Sequence, residues 1–181
     1  GPLEYCQDAD ADPLTAIPDG GVGDVYTYEW FRVENPDDDS VGTGSTYTPP
    51  TDVVGVFSYY VVIKQPASGC SNVSIPVEVT ITLGPSITTQ PVGDAVCIDG
   101  VTPPLTVIYQ DGTGTPSYEW FRVENPNDVS VGTGATFEPP TDQAGVFSYY
   151  VVISFPGNGG CSAITSTTVD ITVVAPIETT N

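Results

Sequence analysis

The stretch Tyr28-Glu29-Trp30-Phe31-Arg32-Val33-Glu34-Asn35-Pro36 occurs a second time, unchanged, as Tyr118 to Pro126. Gly55 to Ile63, reading Gly-Val-Phe-Ser-Tyr-Tyr-Val-Val-Ile, recurs as Gly145 to Ile153. Aligning 26–63 on 116–153 leaves 29 of 38 positions identical. The offset there is 90, and it grows to 91 for Cys6/Cys97 and Cys70/Cys161. The chain of 181 residues is therefore two copies of one unit of about 91 residues.

The pattern inside a copy is that of short strands. In the quoted stretch, Tyr28 and Trp30 alternate with Glu29 and Phe31, the period of a strand with one face on a core. Asn125-Pro126-Asn127-Asp128 reads as a turn. Strands are expected at 87–92, 105–109, 118–124, 129–132 and 136–138, the last stopped by Pro139-Pro140. The run 146–155 is apolar on both faces, as a central buried strand would be. In the closing strand Val169, Ile171 and Val173 alternate with Asp170 and Thr172, and Ile75, Val77, Val79 and Ile81 do the same in the first copy. No segment has helical periodicity. Gly and Pro together make 37 residues, which suits many turns. About seven strands per copy, with a Trp on the third, predict an all-β chain of two tandem immunoglobulin-like β-sandwich domains. Trp30, Trp120, Tyr28 and Tyr118 are the expected core.

The expected divisions are a cloning remnant at 1–4, a first repeat at 5–84 that lacks a counterpart of the first strand at 87–92, a second repeat at 85–175, and the start of a next linker or strand at 176–181. The parent protein is expected to continue in both directions. The connector near Leu83 to Ser86 carries Pro85 and should restrict bending more than a Gly/Ser linker.

Composition narrows the function. There are 23 acidic and 3 basic residues, a net charge of −20, and no His. Nucleic acid is excluded as a partner, because phosphate contacts need clustered Lys and Arg, and an anionic membrane surface is excluded for the same reason. No apolar run is long enough for direct membrane insertion. Without His, the plentiful Ser and Thr lack their commonest activating base. The Gly-Thr-Gly runs at 42–44 and 132–134 lack the ending of a phosphate loop. The chain reads as no enzyme. The three cations are Arg32, Lys64 and Arg122; the two Arg are expected in structural ion pairs, Arg32 with Glu34 or an acid on an adjoining strand. Phe31, Val33, Phe121 and Val123 lie on the face opposite the Trp, where they would form a binding surface. Asp8, Asp10 and Asp12 alternate in a way that can gather oxygens around calcium, although a solvated acidic loop explains them more simply; no other cofactor is implied.

Taken together, Tyr28-Glu29-Trp30-Phe31, the Gly42-Thr43-Gly44 turn, Thr46-Tyr47-Thr48-Pro49-Pro50-Thr51, the strand from Gly55 to Val62, and Gly69-Cys70-Ser71 resemble the tandem immunoglobulin-like repeats of giant Bacteroidota cell-surface adhesins. The gliding-motility adhesins of the SprB type are the best-known kind. The resemblance covers nearly the whole chain. It implies an extracellular, outer membrane-attached protein whose repeats are rigid spacers and weak multivalent contact surfaces. Its partners would be adjacent repeats of the same chain and an extracellular surface or glycan ligand. A carbohydrate-binding module of a secreted protein is the alternative.

In that extracellular setting disulfides persist, and each copy holds two Cys separated by 64 positions. The expected bridges are Cys6–Cys70 and Cys97–Cys161, each stabilising its domain by roughly 4 kcal/mol in the chain-entropy model. Two Cys per unit without His are too few for a structural zinc site.

Overall fold

The computed structural model describes residues 3–21, 23, 25–157 and 159–177. The chain is all-β, and its described residues group into two compact units, 3–83 with 159–160 and 84–157 with 161–177, each built on an immunoglobulin-like β-sandwich repeat. Residues 178–181, part of the stretch expected to open a next linker or strand, lie outside the described residues.

The first repeat comprises β1 (Leu3–Cys6), β2 (Leu14–Thr15), β3 (Thr27–Arg32), β4 (Asp39–Thr43), β5 (Thr46–Tyr47), β6 (Gly55–Gln65), β7 (Cys70–Val73) and β8 (Val77–Thr82). The second comprises β9 (Ser86–Thr89), β10 (Asp94–Cys97), β11 (Leu105–Thr106), β12 (Ile108–Gln110), β13 (Ser117–Arg122), β14 (Val129–Thr133), β15 (Thr136–Phe137), β16 (Gly145–Ser154), β17 (Ile164–Thr165) and β18 (Val169–Val174).

The main sheet has the same order in both repeats: β1-β8-β6-β3-β4 in the first and β10-β18-β16-β13-β14 in the second, with β7 and β17 adding to β6 and β16. The long β6 and β16 are central because their alternation offers a face of Phe, Tyr, Val and Ile, with the buried Gln65 closing that of β6. Small ladders, β2 with β5 and β11 with β15, cover that face. In the second repeat β12 with β9 extends the cover.

Trp30 and Trp120 are 3% and 0% exposed. Around Trp30 pack Tyr5, Leu14, Tyr59, Val61, Val79 and Ile81, and around Trp120 pack Leu105, Val107, Tyr149, Val151, Ile153, Ile171 and Val173. Tyr28 and Tyr118 pack against these clusters from their margins. The Trp30 indole N–H donates to the Gly44 carbonyl and that of Trp120 to the Gly134 carbonyl, each at 2.9 Å.

This explains the Gly-Thr-Gly turns. The second glycine has φ of +104° in Gly44 and +100° in Gly134, a backbone that L side chains resist. The first lies flat under the β5 or β15 ring: a Cβ on Gly132 would stand 2.7 Å from the Phe137 ring, and one on Gly42 would stand 3.0 Å from that of Tyr47.

Several expectations need correction. Leu3 and Glu4 take part in the fold, whatever their origin: they are strand, paired in parallel with Val79 and Thr80. The strand β10 was not expected at all; it runs parallel to β18, with Cys97 opposite Val174. The central strand is not buried on both faces, since Val56 and Val146 lie exposed on the outer side. Ile75 precedes β8 and is 85% exposed rather than inward.

The cysteine pairing also differs. Cys6 and Cys161 are disulfide-bonded, whereas Cys70 and Cys97 are free and exposed, so neither Cys6–Cys70 nor Cys97–Cys161 forms. The register gives the reason. Cys6 lies level with Thr82, one step beyond the Gly55–Ile81 pair, while Cys70 faces Gln65 at the other end of β6. Ten residue steps along a strand are about 33 Å, several times what a disulfide can span. Cys97 and Cys161 likewise lie at opposite ends of the second sheet. Cys97 is beside Val174, next to the Val173–Gly145 pair. Cys161 precedes β17, which pairs with Ile153 at the far end of β16.

Candidate functional site

The outer face of each main sheet carries one aromatic cluster. On β3 the residues alternating with Trp30 are Glu29 and Phe31, and strand alternation turns them away from the core. Phe31 faces Tyr60 across the β3–β6 ladder. Their rings stack with centroids 5.2 Å apart and planes 13° apart. The Tyr60 hydroxyl donates to Asp38 Oδ2 at 2.8 Å. That hydrogen bond to the carboxylate pushes the Tyr60 hydroxyl above its ordinary pKa. Asp38 is itself held, because its Oδ1 accepts the Glu34 backbone N–H at 3.0 Å.

The second repeat has the same cluster. Phe121 stacks on Tyr150 at 5.3 Å and 16°, the Tyr150 hydroxyl donates to Asp128 at 2.8 Å, and Asp128 accepts from the Glu124 N–H at 3.1 Å. Val33 and Val123, just past β3 and β13, are 44% and 45% exposed. Around the rings stand hydroxyls and carboxylates: Ser40 donates to Glu29 at 3.2 Å, and Lys64 pairs with Glu29 at 3.9 Å. The result is an aromatic pair of fixed geometry, half-buried, framed by acceptors that can take hydrogen bonds from a hydroxyl-rich surface. Phe31, Val33, Phe121 and Val123 were named from the sequence. Tyr60, Tyr150, Asp38 and Asp128 were missed, although the identical Tyr-Tyr runs at 59–60 and 149–150 carried the signal: one ring must face outward on any strand.

On the inner face, Arg32 and Arg122 close one end of each core. Arg32 is ion-paired with Glu34 and reaches Asp39 at 3.5 Å, and its guanidinium lies 6.0 Å from the Phe57 ring centroid. Arg122 donates from Nε to Glu124 at 2.6 Å. Small cavities of about 280 Å³ and 260 Å³ adjoin them, lined by Asp52, Phe57 and Tyr59 in the first repeat and by Asp142, Phe147 and Tyr149 in the second. The guanidinium in each is neutralised by a neighbouring Glu, and a further Asp lines the wall, so a ligand anion would meet net negative charge. Burial pushes the Tyr59 hydroxyl up to about 12 and raises that of Tyr149 in the same direction.

Asp8, Asp10 and Asp12 are exposed. No group of three or more His, Cys, Asp or Glu side chains is gathered for a metal ion among the described residues. Asp8 has a structural place instead. Its φ is +63°, and Asp99 at the matching position has +57°. Both N–H groups donate to a Thr carbonyl: Asp8 to Thr51 at 3.0 Å and Asp99 to Thr141 at 2.9 Å. The hydroxyls of Thr51 and Thr141 donate back to Ala9 and Gly100, at 2.6 Å and 2.7 Å. Asp tolerates this left-handed turn better than most residues.

Neither known protein families nor curated protein sequences give a match. Solved structures do. The fibronectin(III)-like modules of Clostridium thermocellum CbhA are 11% identical over 96% of this chain and 90% of theirs, with a TM-score of 0.41. A chimeric titin Z1Z2 tandem is 14% identical over 96% and 95%, with a TM-score of 0.38. Extracellular domains 3–5 of Drosophila OTK are 18% identical over 96% and 63%, with a TM-score of 0.37. Among the described residues no helix is long and apolar enough to cross a membrane.

Proposed function

We propose that this chain is a non-catalytic adhesive repeat module of a large cell-surface protein, and that the Phe31–Tyr60 and Phe121–Tyr150 pairs are its contact surfaces. The observation that carries this is the outer-face cluster itself. A sandwich core needs no aromatic stack on its solvent side, yet both repeats hold one there, with the Tyr hydroxyl fixed to Asp38 or Asp128. A pre-organised ring pair loses little entropy on contact. One such patch is a weak binder, and many copies multiply it. The surrounding carboxylates suit a neutral, hydroxyl-rich partner such as a glycan. The disulfide-bonded state of Cys6 and Cys161 fits an oxidising, extracellular location.

The resemblance to the giant Bacteroidota adhesin repeats of the SprB type supports the finer reading: an outer membrane-attached surface protein that serves adhesion and gliding, with the repeats also acting as spacers. The acidic surface, −20 over the whole chain, would keep neighbouring copies apart. A dedicated carbohydrate-binding module would use the same aromatics but would saturate one defined glycan through a single repeat.

Titrating the chain against immobilised polysaccharides tests the proposal. The expected outcome is weak binding that strengthens steeply with surface density and is lost in Phe31→Ser/Phe121→Ser. Density-independent, tight binding to one glycan would favour the carbohydrate module, and turnover of a glycan or peptide would overturn the non-catalytic claim.

A further inference from the structure

The four cysteines fall into two kinds. Cys6 and Cys97 close the parallel strands β1 and β10, beside the ends of β8 and β18, where the chain leaves each repeat. Cys70 and Cys161 lie at the opposite end of each repeat. Cys70 is opposite Gln65, and Cys161 takes a hydrogen bond from the Thr113 N–H at 3.2 Å. Each repeat thus has an exit-end and an entry-end cysteine, too far apart along the sheet to bond to one another. The two oxidised residues, Cys6 and Cys161, are one of each kind and one from each repeat. The two free thiols, Cys97 and Cys70, are again one of each kind.

From this we infer that Cys97 and Cys70 are the complementary halves of a head-to-tail disulfide between copies of this chain, with Cys97 of one copy bonding to Cys70 of a second. The inference rests on the reading of the chain as tandem repeats. Each free thiol is exposed at an end of its repeat, and the surfaces around the two differ in complementary ways. Beside Cys70 is an open hollow of about 440 Å³ with an apolar wall of Ile17, Tyr26, Ile63 and Val73. Level with Cys97 in the β10–β18 ladder is Val174, 50% exposed, and Val101, four residues further along the chain, is 95% exposed. Because Cys70 lines that hollow and Val174 is level with Cys97, seating Val174 against the wall would take it from water and bring the two thiols near each other. The pairing is heterologous, so it leaves a Cys70 at one end and a Cys97 at the other, and it propagates.

The chemistry needs an oxidant, which a small-molecule disulfide such as oxidised glutathione supplies. One protein thiolate attacks the oxidant's S–S bond, forming a mixed disulfide and releasing one glutathione thiol. The second protein thiolate displaces the other glutathione. Two protein thiols lose two electrons and two protons, and the oxidant leaves as two thiols.

The test is incubation of the whole chain with oxidised glutathione, followed by non-reducing electrophoresis and peptide mapping. The expected result is a reducible ladder in steps of 18.9 kDa and a Cys70–Cys97 cross-linked peptide. Cys70→Ser and Cys97→Ser, both at exposed positions, are each expected to remain monomeric, while an equal mixture of the two gives dimer and nothing larger. Monomer only, with glutathione capping both thiols, would overturn the inference. So would either variant dimerising alone as readily as the mixture does. Loss of polysaccharide binding alone leaves this result untouched, so the two readings fail separately.

Discussion

Trp30 gives its indole N–H to the carbonyl of Gly44 at 2.9 Å, a bond that ties the core to the turn between β4 and β5 and satisfies the polar atom of a residue only 3% exposed. Trp120 does the same with Gly134. Substituting Phe keeps a ring but leaves a carbonyl without its donor and a gap where the larger ring lay. Trp30→Phe and Trp120→Phe should each cost about 2–3 kcal/mol, read as a lowered denaturant midpoint. Costs of similar size are expected, because each indole makes the same hydrogen bond and stacks on a β5 or β15 ring; a near-neutral effect at either would contradict the described role.

The Gly-Thr-Gly turns give a graded prediction. Gly132→Ala places a methyl 2.7 Å from the Phe137 ring, whereas Gly42→Ala places one 3.0 Å from that of Tyr47. Overpacking of this kind costs about 1–3 kcal/mol, and the larger loss should fall on Gly132→Ala. Phe137→Leu should recover part of it, as thermal melts of single and double variants would reveal.

Tyr59 ionises at about 12, above its ordinary value, chiefly because burial disfavours the phenolate. The folded state therefore holds its proton where the unfolded chain has lost it. The associated stability is fully present below pH 10 and is lost as the pH rises from about 10 to about 12. Tyr149 shifts the same way. The melting temperature should fall across that window, and Tyr59→Phe should flatten the fall. A wild-type profile level through the window would refute the assignment.

Asp8 and Asp99 hold left-handed turns. Asp99→Gly should be neutral or slightly stabilising, and Asp99→Val should cost about 1–2 kcal/mol. Millimolar calcium or a chelator should leave the melting temperature unchanged. A rise with calcium that disappears in Asp8→Gly would contradict this and identify the acidic stretch as a cation site.

What the sequence made legible was local. Alternation at 28–33 and 118–123 reveals a strand and its buried Trp, because the period of two is written into neighbouring residues. The duplication then fixes the unit. Parallel pairing leaves no such trace: Asp94–Cys97 contains one half-buried apolar side chain, Val96, and finds its partner strand 77 positions later. Missing that strand placed Cys97 in a loop before the second strand and made a bridge to Cys161 look feasible. The outer aromatic site was half visible for the same reason. Phe31 sits in an alternating stretch, but its partner Tyr60 and the anchoring Asp38 are set by the β3–β6 register and by a turn. The positive φ at Asp8 leaves no trace in the sequence either, because it shows only in the backbone.

Flow-cell retention tests the central claim most directly. Beads coated at equal density with the wild-type chain, Phe31→Ser, Phe121→Ser or the double variant would be held against a polysaccharide surface under rising shear. The account predicts strong retention for wild type, intermediate retention for both single variants and release of the double variant, with all four equally folded. Retention of the double variant at the wild-type shear threshold would contradict it.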